Sequence, residues 1–133
     1  MSSVFTRIIN SEIPAWKVAE TDGYIAFLDI SPVAPGHTLV VPKKEVDYLF
    51  DLDDETYLGL QAFAKKVAIG IRKAIPCRKV GVAVLGLEVP HAHIHLVPMQ
   101  DESDLLNFGK KLHPTKEEFE VIRDRIAAQI TLR

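Results

Sequence analysis

The chain has 133 residues, 47% of them hydrophobic, and 16 Lys and Arg against 18 Asp and Glu leave a formal charge of −2. That length suits one domain with a single core, and the near-neutral balance excludes an overall positive field that would gather nucleic acid or an anionic membrane. Cys77 is the only cysteine, so no intramolecular disulfide and no Cys-x-x-Cys zinc or redox pair is available. Residues Met1 to Arg7 lack the basic-then-apolar pattern of a signal peptide, and no stretch reaches ~18 uninterrupted apolar residues, so a cytoplasmic protein is expected.

Apolar side chains at Phe5, Ile8, Ile9 and Ile13 predict a short amphipathic helix ending near Pro14. Trp16 to Glu20 and Tyr24 to Asp29 read as antiparallel strands around the Thr21-Asp22-Gly23 turn. Ser31 to Gly36 holds too many breakers for regular structure, and His37 to Val41 resumes a strand that Pro42 closes. From Asp53 a long helix carries Leu60, Phe63, Ala64, Val67, Ala68 and Ile71 in one stripe. Acidic Asp54 and Glu55 suit its positive start, Arg72 and Lys73 suit its end, and Pro76 follows. Val80 to Leu85 and His91 to Val97 read as two further strands joined through Gly86-Leu87-Glu88. Thr115 with Glu118 forms a capping box for a closing helix striped by Phe119, Ile122, Ile126 and Ile130. Short links between strands favour antiparallel pairing, so the expected class is α+β: an antiparallel sheet of about five strands, a main amphipathic helix and an additional C-terminal helix.

Three of the five histidines, His91, His93 and His95, alternate with apolar residues. On one strand their imidazoles would project from the same face ~6 to 7 Å apart. A zinc site could be built from imidazoles, but a structural site normally completes four ligands and next-but-one strand positions reach one ion awkwardly. Imidazole can instead attack phosphorus and leave again, splitting one displacement into two. That task requires one ring nitrogen unprotonated while the other is held by an acceptor.

The run His91-Ala-His93-Ile-His95-Leu-Val resembles the His-x-His-x-His signature of the histidine triad family, and Phe27 to Lys44 is similar to that family's nucleotide-binding segment. The resemblance covers Phe5 to about Pro98. It implies that residues 1–133 form one histidine-triad-like domain, with 99–133 a variable C-terminal extension. It further implies that His93 is the nucleophile forming a nucleotidyl-histidine intermediate, that His95 contacts the phosphate, and that His91 shapes the phosphate side. His37 would orient the nucleophilic imidazole. Asp29 would accept hydrogen bonds from the ribose hydroxyls, and Phe5, Ile8, Ile13, Leu28 and Ile30 would form the slot for a purine base. By themselves these residues have plainer uses: Asp29 suits the start of a turn before Ser31-Pro32, and Phe5, Ile8 and Ile13 suit an ordinary core.

The sequence departs from the resemblance before the triad. Relatives carry an asparagine and then Gly-Gln-Ser or Gly-Gln-Thr, whereas this chain has Gly86-Leu87-Glu88 and no asparagine in that strand. A carboxylate at Glu88 in contact with a phosphate would repel it by roughly 1 to 4 kcal/mol unless turned away; Glu88 could alternatively serve the leaving group or simply face solvent. Many bacterial relatives also begin with a cysteine pair that helps bind zinc, where this chain has Ser3 and Thr6. No metal and no cofactor is therefore expected. The main expectation is a hydrolase or transferase acting on a nucleoside phosphoramidate or related nucleotide, as a homodimer without nucleic-acid or membrane partners. The rival is a nucleotide-binding or scaffold protein of the same fold with weak turnover.

Overall fold

The computed structural model describes residues 2–132. Five strands, β1 (Lys17–Glu20), β2 (Tyr24–Leu28), β3 (Thr38–Pro42), β4 (Lys79–Ala83) and β5 (Ile94–Met99), form one antiparallel sheet in the order β1-β2-β3-β5-β4. Among the described residues four α-helices accompany it: α1 (Val4–Ile9), α2 (Asp54–Ala74), α3 (Ser103–Leu106) and α4 (Lys116–Gln129). The α+β architecture expected from the sequence is the one observed.

Strand alternation divides the sheet into two apolar faces. Ala26 and Leu28 of β2, Val40 of β3, and Ile94 and Leu96 of β5 pack with Leu60, Phe63, Ala64, Val67 and Ile71 of α2. The closing helix α4 joins this face through buried Phe119 and Ile126, and Trp16 stacks on Phe119 at 5.7 Å. On the other face, Ile25, Phe27, Leu39 and Val41 pack with Phe5 and Ile8 of α1. The clustered histidines belong to this second, thinner face, because His95 alternates with Ile94 and Leu96 along β5.

Helix α2 begins as its sequence dictates: the Asp53 carboxylate accepts from the Thr56 amide at 3.1 Å, satisfying an otherwise unpaired first-turn donor. At α4 both halves of the Thr115–Glu118 capping box form. Helix α1 is shorter than the apolar spacing predicts. Ser11 takes a left-handed conformation (φ 61°) and the Glu12 amide turns back to the Arg7 carbonyl at 2.8 Å, so Ile13 lies beyond the helix.

The second correction concerns the triad itself. The strand predicted over His91–Val97 starts only at Ile94, where Val40 pairs with it. The His91 amide bonds to the Val89 carbonyl at 2.8 Å and the Ala92 amide to the Val46 carbonyl at 2.7 Å, which turns His91–His93 out of the ladder. The three rings therefore do not form one evenly spaced row. Strand β4 likewise stops at Ala83, two residues before the predicted end.

His37 enters β3 through Gly36, whose φ of +92° lies where side chains other than glycine are strained. A Cβ there would also meet Ile75 Cγ1 at 3.1 Å and Pro98 Cγ at 3.2 Å. Gly36→Ala is expected to cost about 1 to 3 kcal/mol. Urea unfolding would measure it, and an unchanged midpoint would contradict the strain.

Candidate active site

The four histidines predicted to act together are all buried, and their hydrogen bonds fix which nitrogen of each carries its proton. His91 Nε2 lies 2.7 Å from the Pro42 carbonyl. A carbonyl only accepts, so Nε2 is protonated, and His91 Nδ1 accepts from the Ser3 hydroxyl at 2.8 Å. His93 Nδ1 lies 2.7 Å from the His91 carbonyl and so donates to it. A neutral His93 then keeps an unprotonated Nε2, for which no hydrogen-bond partner exists among the described residues. The Val33 amide donates to His37 Nδ1 at 3.1 Å, which places the His37 proton on Nε2. From there it is donated to His95 Nδ1 at 2.9 Å, leaving His95 with an Nε2–H. One ring thus presents a lone pair and its neighbour, with centroids 5.0 Å apart, a donor.

Burial keeps this set neutral. It pushes His37 down to about 4, helped by the Lys111 ammonium and by the charge that His93 would carry if protonated. His95 falls to about 3, first through burial and then through His37 and His93, with Asp29 acting the other way. His93 is lowered by burial against the opposing effects of its bond to His91 and of Asp29. His91 is lowered by burial despite its bond to Pro42.

Asp29 stands 3.6 Å from His37 Nε2, too far to compete with His95 for that proton. Its other oxygen accepts from the Ser31 amide at 2.8 Å, so the turn-forming use anticipated for it is realised beside the histidines. Donor atoms of Asp29, His37 and His95 lie within 4.8 Å of one another. The pair of imidazole nitrogens in that group already shares a proton, which a cation would have to displace.

Phe5 packs edge-on to His93 at 4.9 Å, to Phe27 at 5.5 Å and to His91 at 5.8 Å. Ile8 is buried in the same cluster and Ile13 borders it. Leu28 does not belong with them: as the odd neighbour of Phe27 it faces α2 in the main core. This corrects its assignment to the base slot, and the residue on the histidine side is Phe27. Ile30 is 73% exposed beside Asp29, and Glu88 is exposed in the loop after β4, next to Leu87, which is 96% exposed.

Two further residues reach the site from a stretch without any recognisable motif. Phe108 stands perpendicular to His95 at 5.0 Å and edge-on to His37 at 5.6 Å, and the Lys111 ammonium lies 5.0 Å from the Phe108 ring centre. The Leu112 amide holds this segment down through the Pro32 carbonyl at 2.7 Å. A separate groove of about 670 Å³, lined by Lys65, Ala68, Ile69, Arg72, Lys73, Lys79 and Val80, includes none of the histidines.

Together, a five-stranded antiparallel sheet flanked by helices and a cluster of neutral histidines with alternate lone pair and donor define an α+β protein with a buried histidine site. Comparison with known proteins gives the same class. A family model described as HIT domain matches residues 10–102, and the chain belongs to the histidine triad family. It is 34% identical to the adenosine 5'-monophosphoramidase of Schizosaccharomyces pombe over 98% of this chain and 99% of that protein. Among solved structures, a Hit-like protein of Bartonella henselae involved in cell-cycle regulation superposes with a TM-score of 0.85 at 31% identity, covering 97% of this chain and 96% of that one. A zinc-bound histidine triad family protein of Mycobacterium smegmatis gives 0.79 at 30% identity, covering 96% and 95%.

Proposed function

We propose that this protein hydrolyses a nucleoside phosphoramidate or a related nucleotide through a covalent adduct on His93. The observation that carries the reading is the 2.7 Å bond from His93 Nδ1 to the His91 carbonyl, which leaves Nε2 as a lone pair in the site. That lone pair attacks the phosphorus, the bond from phosphorus to the leaving nitrogen breaks, and the departing amine takes a proton from water. The adduct leaves His93 positively charged, and the His91 carbonyl dipole faces that charge through Nδ1–H. Water then attacks phosphorus, the electrons of the phosphorus–nitrogen bond return to Nε2, and a nucleoside monophosphate leaves as the spare proton passes to solvent. The His95 Nε2–H is placed to hydrogen-bond a phosphoryl oxygen as charge develops there.

In this reading Asp29 receives the ribose hydroxyls, while Phe5, Ile8, Ile13, Phe27 and Ile30 border a purine. The kinship with the S. pombe phosphoramidase supports adenosine. Residues 1–133 act as one domain, in the cytoplasm, without a metal cofactor. With adenosine phosphoramidate, the wild-type protein is expected to release AMP and to yield an AMP–protein adduct under acid-free mass spectrometry. A second reading, a nucleotide-binding protein with little turnover, is favoured by exposed Leu87 and Glu88 where polar phosphate contacts are expected. AMP binding without turnover or adduct would establish that one instead.

The reading extends to a homodimer. Strand β4 is an edge strand, and exposed Val82, Val84 and Leu85 on or just beyond it accompany exposed Leu58 and Ile69 on α2. Sedimentation across a micromolar range is expected to give twice the chain mass, and a monomer throughout would reject the dimer.

A further inference from the structure

The clasp that holds His91 from outside the histidine cluster uses three side chains that the reaction does not require. Ser3 Oγ donates to His91 Nδ1 at 2.8 Å and is itself oriented by the Thr6 amide at 3.0 Å. Glu45, on the exposed loop after β3, accepts from the Ser3 amide at 2.8 Å and from the Thr6 hydroxyl, both on Oε1. The Thr6 hydroxyl lies 3.4 Å from His91 Nδ1 and would compete for that lone pair if it were free. By engaging it, Glu45 leaves Ser3 as the donor. The same carboxylate ties the first turn of α1 to the loop that follows Pro42, whose carbonyl grips the other side of the His91 ring at 2.7 Å.

Ser3 and Thr6 stand where the family resemblance implies a zinc-binding cysteine pair. The residues present do not fit zinc: two neutral hydroxyls replace thiolates, and the lone pair of His91 Nδ1 is already taken by the Ser3 hydroxyl. The N–H and O–H donors of the clasp around His91 each have an acceptor without an ion.

From this we infer that Glu45 is a positioning residue for the nucleophile, acting through Thr6, Ser3 and His91 in a metal-free clasp. Its effect runs along hydrogen bonds: Glu45 holds the Ser3 amide and the Thr6 hydroxyl, the Ser3 hydroxyl sets the His91 ring, and the His91 carbonyl sets the Nδ1 proton of His93. Neither Glu45 nor Thr6 touches the reacting atoms. The Glu45 carboxyl is held below its ordinary range by the Thr6 hydroxyl and the Ser3 amide, so it is ionised at neutral pH.

The inference rests on the hydrolytic reading for its kinetic test and is independent of it in a second one. With the full-length protein and adenosine phosphoramidate, Glu45→Ala is expected to lower kcat roughly ten- to hundredfold with KM within about twofold, since misplacing a nucleophile costs on that scale. Glu45→Gln, whose amide oxygen still accepts from Ser3 and Thr6, restores most of that loss. Histidine nitrogen NMR supplies the independent readout. Wild type is expected to show His91 protonated on Nε2 and His93 on Nδ1, and Glu45→Ala to mix the two forms of both rings while Glu45→Gln does not. A folded Glu45→Ala protein with wild-type kcat, or with both rings in their wild-type forms, overturns the inference. Stoichiometric zinc in the purified protein, with altered ring forms on chelation, overturns its metal-free part. If the wild type proves to have no turnover, the hydrolytic reading fails while the NMR comparison still decides the role of Glu45.

Discussion

Replacing His93 by alanine is expected to abolish the AMP–protein adduct and to lower kcat on adenosine phosphoramidate by roughly a thousandfold or more, because in the proposed reaction no other group among the described residues is placed to form the covalent intermediate. Neither neighbour can substitute for it. His91 has both ring nitrogens engaged, one by Pro42 and one by Ser3, and His95 offers a donor where a lone pair is needed. Nucleotide affinity should change little, because the base and ribose contacts proposed for Phe5, Phe27 and Asp29 remain. The measurements are rapid-quench turnover and AMP titration on the same preparations. Retained turnover in His93→Ala would show that the reaction bypasses this imidazole, whereas equal loss of turnover and AMP affinity would assign the residue to binding.

The buried histidines also make the fold acid-sensitive well above the carboxylate range. In the unfolded chain each titrates near its ordinary 6.5, but in the folded protein His37 does so at about 4 and His95 at about 3. Below pH 6.5 the unfolded chain therefore takes up protons that the folded chain refuses. Their contribution to stability is complete above that pH and is lost as pH falls toward the folded values. Each such group steepens the loss by up to about 1.4 kcal/mol per pH unit. Urea unfolding at pH 7.5 and pH 5 should differ by roughly 2 to 4 kcal/mol, with the more acidic sample weaker. Equal stability at the two pH values would mean that the folded protein accepts these protons. The lowered carboxyls of Glu20, Glu45, Asp53 and Asp101 act in the same direction only at lower pH, so they do not account for a loss that begins near neutrality.

Much of this architecture was legible from local pattern. The long stripe of α2 and the capping box of α4 needed only periodicity and end chemistry, which act within a few residues. The beginning of β5 was not legible in the same way. Alternating histidines mimic a strand, and what removes His91–His93 from the ladder is pairing with Val46 and Val89, which no periodicity reports. The early end of α1 depends on a left-handed Ser11, a conformation that its residue type does not announce. The four-residue helix α3 is too short to carry a stripe at all.

At the site, the spacing of the histidines pointed to phosphorus chemistry, but their protonation pattern required the fold to bring in Val33, Pro42 and Ser3. Leu28 was assigned from its place in a continuous run, although the two-residue period of a strand puts Phe27 on the face of Asp29 and sends Leu28 to the opposite side. Phe108 and Lys111 lie more than ten residues beyond the triad in a segment without periodicity, and Glu45 sits among exposed loop residues. Nothing in their immediate neighbours marks them.

The two ends of the chain enclose the histidines from opposite directions. Ser3 and Thr6 precede the segment matched by the family, residues 10–102, and Phe108 and Lys111 follow it. The matched segment supplies all four clustered histidines, while part of what surrounds them is supplied from outside it. Divergence on either side of the matched segment can thus retune the surroundings of the histidines while every one of them stays in place.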